Sequence, residues 1–155
     1  MILSPIAQGI LLIGLTVLIH AGGLRLLLWR LAKHQLFWEA YHSLLVDTLW
    51  LTGVVSSLVV LHLTEIVLWA LFFYRKGLFP NLETAGYYSL LTYTTVGYGD
   101  VVLPQWWRLV GTSEALVGIL MTAWSTALLV GVVTRLTKRL MDKFDQAHSE
   151  RQGLE

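Results

Sequence analysis

Apolar residues run through this chain in long blocks. Three blocks reach the length of about 20 residues that a membrane-crossing helix needs: Ile6 to Leu28, Leu49 to Tyr74 and Trp106 to Leu136. The first carries Gly9, Gly14, Gly22 and Gly23, which membrane helices tolerate because neighbours pack closely against them. At about 1.5 Å per residue the third outruns a ~30 Å hydrocarbon core, so it is expected to tilt or project. Between the first two blocks, Trp29 to Asp47 mixes Arg30, Lys33, His34, Glu39 and His42 with Trp38, Leu44 and Leu45. That mixture predicts a short amphipathic helix on the membrane surface. Beyond the third block, Thr137 to Glu155 is polar and charged, and is expected as a helix end fraying into a tail or as part of a short helical bundle.

The polar interruption between the second and third blocks reads NLETAGYYSLLTYTTVGYGDVVLPQWW. It is too short and polar to span again, but it can dip into the membrane and return. Asn81 predicts a helix N-cap, with Glu83 in the first turn at the positive end of the helix dipole. The helix is expected to run to about Tyr93 and aim its negative end inward, where a cation is stabilised. Irregular backbone at membrane depth must be buried in protein or line a water-filled path. Gly97 and Gly99 accept left-handed backbone angles, and their alternation with Val96 and Tyr98 lets successive carbonyls face one way. Such a column, with the Thr95 hydroxyl below it, can replace the water shell of a dehydrated monovalent cation.

Composition narrows the class. Of 155 residues, 55% are hydrophobic and 14% charged, against about 25% charged in an ordinary soluble domain. A net charge of +1 leaves no footprint for nucleic acid. Cysteine is absent, which removes disulfides and thiolate metal sites. Met1 to Gln8 lack the basic start of a secretory signal, so no removable targeting segment is expected. Arg25, Arg30 and Lys33 fall on one side of the bilayer together with Arg135, Lys138, Arg139, Lys143 and Arg151, whereas Arg75, Lys76 and Arg108 fall on the other. The basic side is expected to be cytoplasmic, with the N-terminus outside.

TTVGYGD, residues 94–100, resembles the selectivity-filter signature of potassium channels. It lies in the context that family requires: outer helix, pore helix, filter, inner helix. The resemblance covers residues 49–136, the pore module. Residues 1–30 (an N-terminal membrane helix), 31–48 (the interfacial linker) and 137–155 (the cytoplasmic tail) lie outside it. It implies an all-α membrane protein with three transmembrane helices plus a re-entrant pore helix and filter. K+ is then the permeant ion, held by Thr95, Val96, Gly97, Tyr98 and Gly99, with Thr94 and Asp100 supporting. One chain brings one filter strand and four surround an ion, so the implied assembly is a homotetramer of cyclic symmetry in the lipid bilayer, without a soluble substrate.

In the family an acid at the position of Asp100 is tied to the pore helix. Here Tyr87 and Tyr88 stand ready to donate to it, while Leu91 occupies the place where some bacterial channels carry a buried glutamate. Asp100 can equally be a solvated acid that draws cations to the outer mouth. Aligned from Arg108, Gly118 falls on the family's inner-helix hinge position, and both bending and tight packing fit it.

His62, Glu65 and Glu114 are ionisable groups inside apolar spans, costly there and by default functional candidates. His62 and Glu65 share a helical face. Two readings stand: a proton-sensitive network behind the filter, reaching the inner helix through Glu114, or structural hydrogen bonds between helices. His20, alone on the first span, is expected to be a packing group. No repeated Glu-x-x-His units suggest a di-carboxylate metal site. No P-loop, H-E-x-x-H or nucleophile elbow marks an enzyme. Passive potassium conduction leads; the pore subunit of a potassium uptake transporter and a non-conducting modulatory subunit are the alternatives. The first span has no arginine at every third position, so no voltage sensor is expected.

Overall fold

A computed structural model of the chain describes residues 3–33 and 44–152. Its elements are α1 (Leu3–Lys33), α2 (Leu44–Arg75), α3 (Leu82–Tyr93), a 3-10 turn (Gln105–Trp107) and α4 (Arg108–Gln152). No strand occurs among the described residues. Three stretches are long and apolar enough to cross a membrane: Pro5–Lys33, Leu45–Arg75 and Gln105–Asp142. The fold is therefore all-α, with three spanning helices and a short fourth one between the last two, as the hydrophobic pattern predicts.

α1 and α2 exceed their apolar blocks at both ends, and α4 exceeds its block at the C-terminal end. α1 continues through Trp29 to Lys33 and α2 begins at Leu44, so both flanks of the expected surface helix belong to the spans. The middle of that segment, residues 34–43, lies outside the described residues. Thr137 does not begin a frayed tail either, since α4 stays helical to Gln152. Nothing breaks the helix there, because the sequence from Thr137 to Gln152 contains neither glycine nor proline.

The chain divides into two compact units, Met1–Ala123 and Trp124–Glu155. The second consists of the later part of α4. In the first, α2 packs against both α1 and α3. Between membrane helices little hydrophobic force remains, so close packing and internal hydrogen bonds must hold them. Both are present. Gly23 of α1 meets the Leu61 side chain of α2, where an added Cβ would collide. Trp69, fully buried on α2, donates its indole N–H to Thr16 Oγ1 of α1 at 3.0 Å, and that hydroxyl donates onward to the Leu12 carbonyl at 2.9 Å. Aromatic rings fill the gap under α3: Phe73 meets Phe79 and Tyr88 edge-on, at centroid distances of 6.3 and 5.5 Å.

Candidate functional site: a pore helix, its filter loop and the buried cluster behind them

α3 starts as its sequence dictates. The Asn81 side chain accepts from the Thr84 amide at 2.8 Å, and Glu83 sits in the first turn. The helix ends at Tyr93, and the chain then folds back over its last carbonyls. The Thr94 amide donates to Leu90 O, the Thr95 amide to Thr92 O and the Gly97 amide to Leu91 O, at 3.1, 3.0 and 3.2 Å. Thr94 Oγ1 donates to Leu90 O at 2.6 Å. These bonds anchor residues 94–97 to α3 and satisfy carbonyls that a helix terminus otherwise leaves open.

Within the loop, every second residue takes a left-handed conformation: Thr95 at φ 61°, Gly97 at φ 50° and Gly99 at φ 79°. Glycine adopts this freely. Thr95 does not, because a β-branched residue at positive φ is a strained outlier, of the kind that collects at functional sites. Residues 94–100 are all exposed in the single chain, including the apolar Val96 and Tyr98.

Tyr87 donates its hydroxyl to Asp100 Oδ2 at 2.7 Å. This bond to the carboxylate holds the Tyr87 phenol above its ordinary range, since ionisation would set two anions side by side. Tyr88 does not join it. Consecutive helical residues point about 100° apart, and Tyr88 turns into the protein, half-buried, against Phe73, Phe79 and the backbone of Gly111. The expectation that both tyrosines face Asp100 is corrected accordingly.

Gly118 is a packing position. The helix is unbroken there, and a Cβ on Gly118 would run into the carbonyl of Tyr93. α4 thus touches the C-terminal end of α3 with bare backbone at Gly118.

Beside the C-terminal end of α3, three helices contribute to one buried polar cluster. Glu65 of α2 is fully buried. Its Oε1 receives His20 Nδ1 of α1 at 2.8 Å, and its Oε2 receives the Tyr93 hydroxyl of α3. His62 Nδ1 lies 2.9 Å from the Tyr93 hydroxyl and 3.8 Å from Glu65 Oε2. With Tyr93 donating to Glu65, its oxygen accepts from His62. His62 and Glu65 therefore do meet on one face of α2. Glu114 does not connect them. Its carboxyl is buried beside Ser89 and, among the described residues, makes no hydrogen bond to His62, Glu65 or Tyr93.

His20 is the residue that sequence reasoning misplaced. It is fully buried and shares a carboxylate with the pore module instead of merely packing. The rule that flagged His62, Glu65 and Glu114, an ionisable group inside an apolar span, applies to it equally.

Residues 59–135 match the ion channel family. That stretch takes in Glu65, all of α3, the filter loop and Glu114, and leaves α1 with His20 outside. The match supports an ion channel in a multi-pass membrane protein, and it points to transport over catalysis. Searches of curated proteins and of solved structures found no match.

Proposed function

We propose that the protein is a potassium-selective channel, in which four copies of the chain surround one pore and conduct K+ passively. The observation that carries this reading is the loop after Tyr93, where Thr95, Gly97 and Gly99 alternate left-handed backbone with Val96 and Tyr98. That alternation lets consecutive carbonyls face the same way, so four strands can replace the hydration shell of a K+ ion at Thr95 to Gly99. The pore helix supports the reading by directing its negative end at the same place. Exposure of Val96 and Tyr98 in the single chain fits a segment that other copies cover. The excess of Lys and Arg on one side supports a cytoplasmic C-terminus and an outer N-terminus. His62 and Glu65, which meet at Tyr93, are the gating candidates that the cluster supports.

Purified protein in liposomes under a K+/Na+ gradient tests this. The expected result is energy-independent flux, blocked by Ba2+, with a reversal potential near that of K+. Equal passage of Na+, a need for an energy source, no flux at all, or a monomer in the bilayer overturns it.

A further inference from the structure

The cluster behind the filter contains more ligand chemistry than helix packing requires. His20, His62 and Glu65 each present a ligand atom, all within 4.8 Å of one another. Tyr93 Oη adds a second oxygen, in contact with both Glu65 and His62. Two imidazole nitrogens and two oxygens, drawn from three helices, converge on one point.

Charge gives the second argument. Glu65 is an acid buried inside a membrane span, where an ionisable group is costly without a balancing partner. A dication held by the Glu65 carboxylate and the Tyr93 oxygen supplies that balance, two positive charges against two oxyanions.

Geometry gives the third. Tetrahedral Zn2+ takes nitrogen and oxygen ligands at about 2.0–2.2 Å, which sets neighbouring ligands roughly 3.3 Å apart. The separations here straddle that value: 2.8 Å for His20 Nδ1 to Glu65 Oε1, 2.9 Å for His62 Nδ1 to Tyr93 Oη and 3.8 Å for His62 Nδ1 to Glu65 Oε2. The His20, His62 and Glu65 ligand atoms lie within 4.8 Å of one another, so side-chain adjustment on three separate helices closes the cage.

We infer that His20, His62, Glu65 and Tyr93 form a tetrahedral binding site for a zinc-class divalent transition metal. On binding, each histidine moves its one ring proton from Nδ1 to Nε2 and gives the freed Nδ1 lone pair to the ion. The Tyr93 hydroxyl loses its proton to solvent, so one proton leaves per metal. Imidazole together with carboxylate at a four-coordinate site selects Zn2+ over Mg2+ or Ca2+, which demand six or more oxygens. The ion enters past His62, whose side chain is 20% exposed while those of His20 and Glu65 are enclosed. Because His20 is on α1 and Tyr93 is the last residue of α3, the ion ties the N-terminal helix to the filter's own support.

Co2+ titration of the full-length protein in detergent, followed by visible absorption, tests the site without any mutation. Tetrahedral Co2+ absorbs several-fold more intensely than octahedral Co2+, and one equivalent per chain, displaced by Zn2+, is expected. Replacing His34, His42 and His148 together by alanine should leave this signal intact. His20→Ala and Glu65→Gln should each weaken Zn2+ binding tenfold or more. An octahedral spectrum, no saturable binding, or variants that bind as tightly as the parent overturns the inference. The readout is independent of conduction, so a failure of potassium flux would leave it standing.

Discussion

Tyr87 and Asp100 meet across the outer end of the filter loop, hydroxyl to carboxylate, at 2.7 Å and thirteen residues apart. One belongs to α3 and the other closes the loop after it, so the bond fixes that loop at its far end as the Leu91 and Leu90 carbonyls fix it at its base. Tyr87→Phe removes the donor and keeps the ring. The expected outcome is a filter that leaves its conducting state sooner, seen as faster decay of potassium current at unchanged expression and thermal stability.

The same pair predicts an alkaline limit. Bonding to Asp100 raises the Tyr87 phenol above its ordinary value of about 10. A raised value means the bond contributes fully below pH 10 and is lost as pH climbs through the higher, folded value. Flux at pH 7 to 9 should be insensitive to this group. A change above pH 10 that is absent from Tyr87→Phe is the expected signature in a pH series on liposomes.

Gly118 and Gly131 should respond oppositely to alanine. At Gly118 the new methyl meets the Tyr93 carbonyl, a backbone atom that cannot rotate away. Overpacking of this sort costs about 1–3 kcal/mol. Gly131 has open space around it, so alanine there gains up to about 1 kcal/mol of helix propensity. Thermal unfolding of the two variants in one detergent should shift in opposite directions.

Thr16 serves Trp69 as acceptor and Leu12 as donor. Thr16→Val keeps the shape and strands a buried indole N–H, at about 1–2 kcal/mol. Thr16→Ser restores the oxygen and should recover most of the loss. If both variants unfold alike, the hydroxyl is not what secures α1 to α2.

Glu65→Gln puts an amide N–H2 against one of two donors, His20 Nδ1 or the Tyr93 hydroxyl. Three ionisable groups surround Glu65: His20 from α1, His62 from α2 and Tyr93 from α3, with Glu114 of α4 acting on Tyr93 from farther away. If protonation of this cluster sets opening, the variant flattens the pH–flux curve. An unmoved curve confines the cluster to helix packing and metal binding.

The local features were the legible ones. Asn81, Glu83 and the apolar run after them define α3 to its last residue, because capping and period are written in adjacent positions. The Gly-x-Gly alternation likewise announces its backbone, although it does not announce that Thr95 shares the left-handed angle. Features that depend on distant partners were not legible. Nothing near His20 indicates that its partner lies 45 residues away on another helix. The choice of Tyr87 over Tyr88 needed the rotation of α3 about its axis, which the hydrophobic pattern of so short a helix leaves open. Ends of spanning helices escaped for a different reason: polar residues do not stop a helix, they only stop it being apolar.

At Gly97 and Gly99 the chain adopts angles that are the mirror image of those an L-residue prefers. Chirality, and not size alone, therefore restricts these positions. In protein assembled by chemical ligation, D-alanine at Gly99 would seat its methyl without backbone strain, and the filter would keep its path. L-alanine, with the same atoms in the opposite hand, would not.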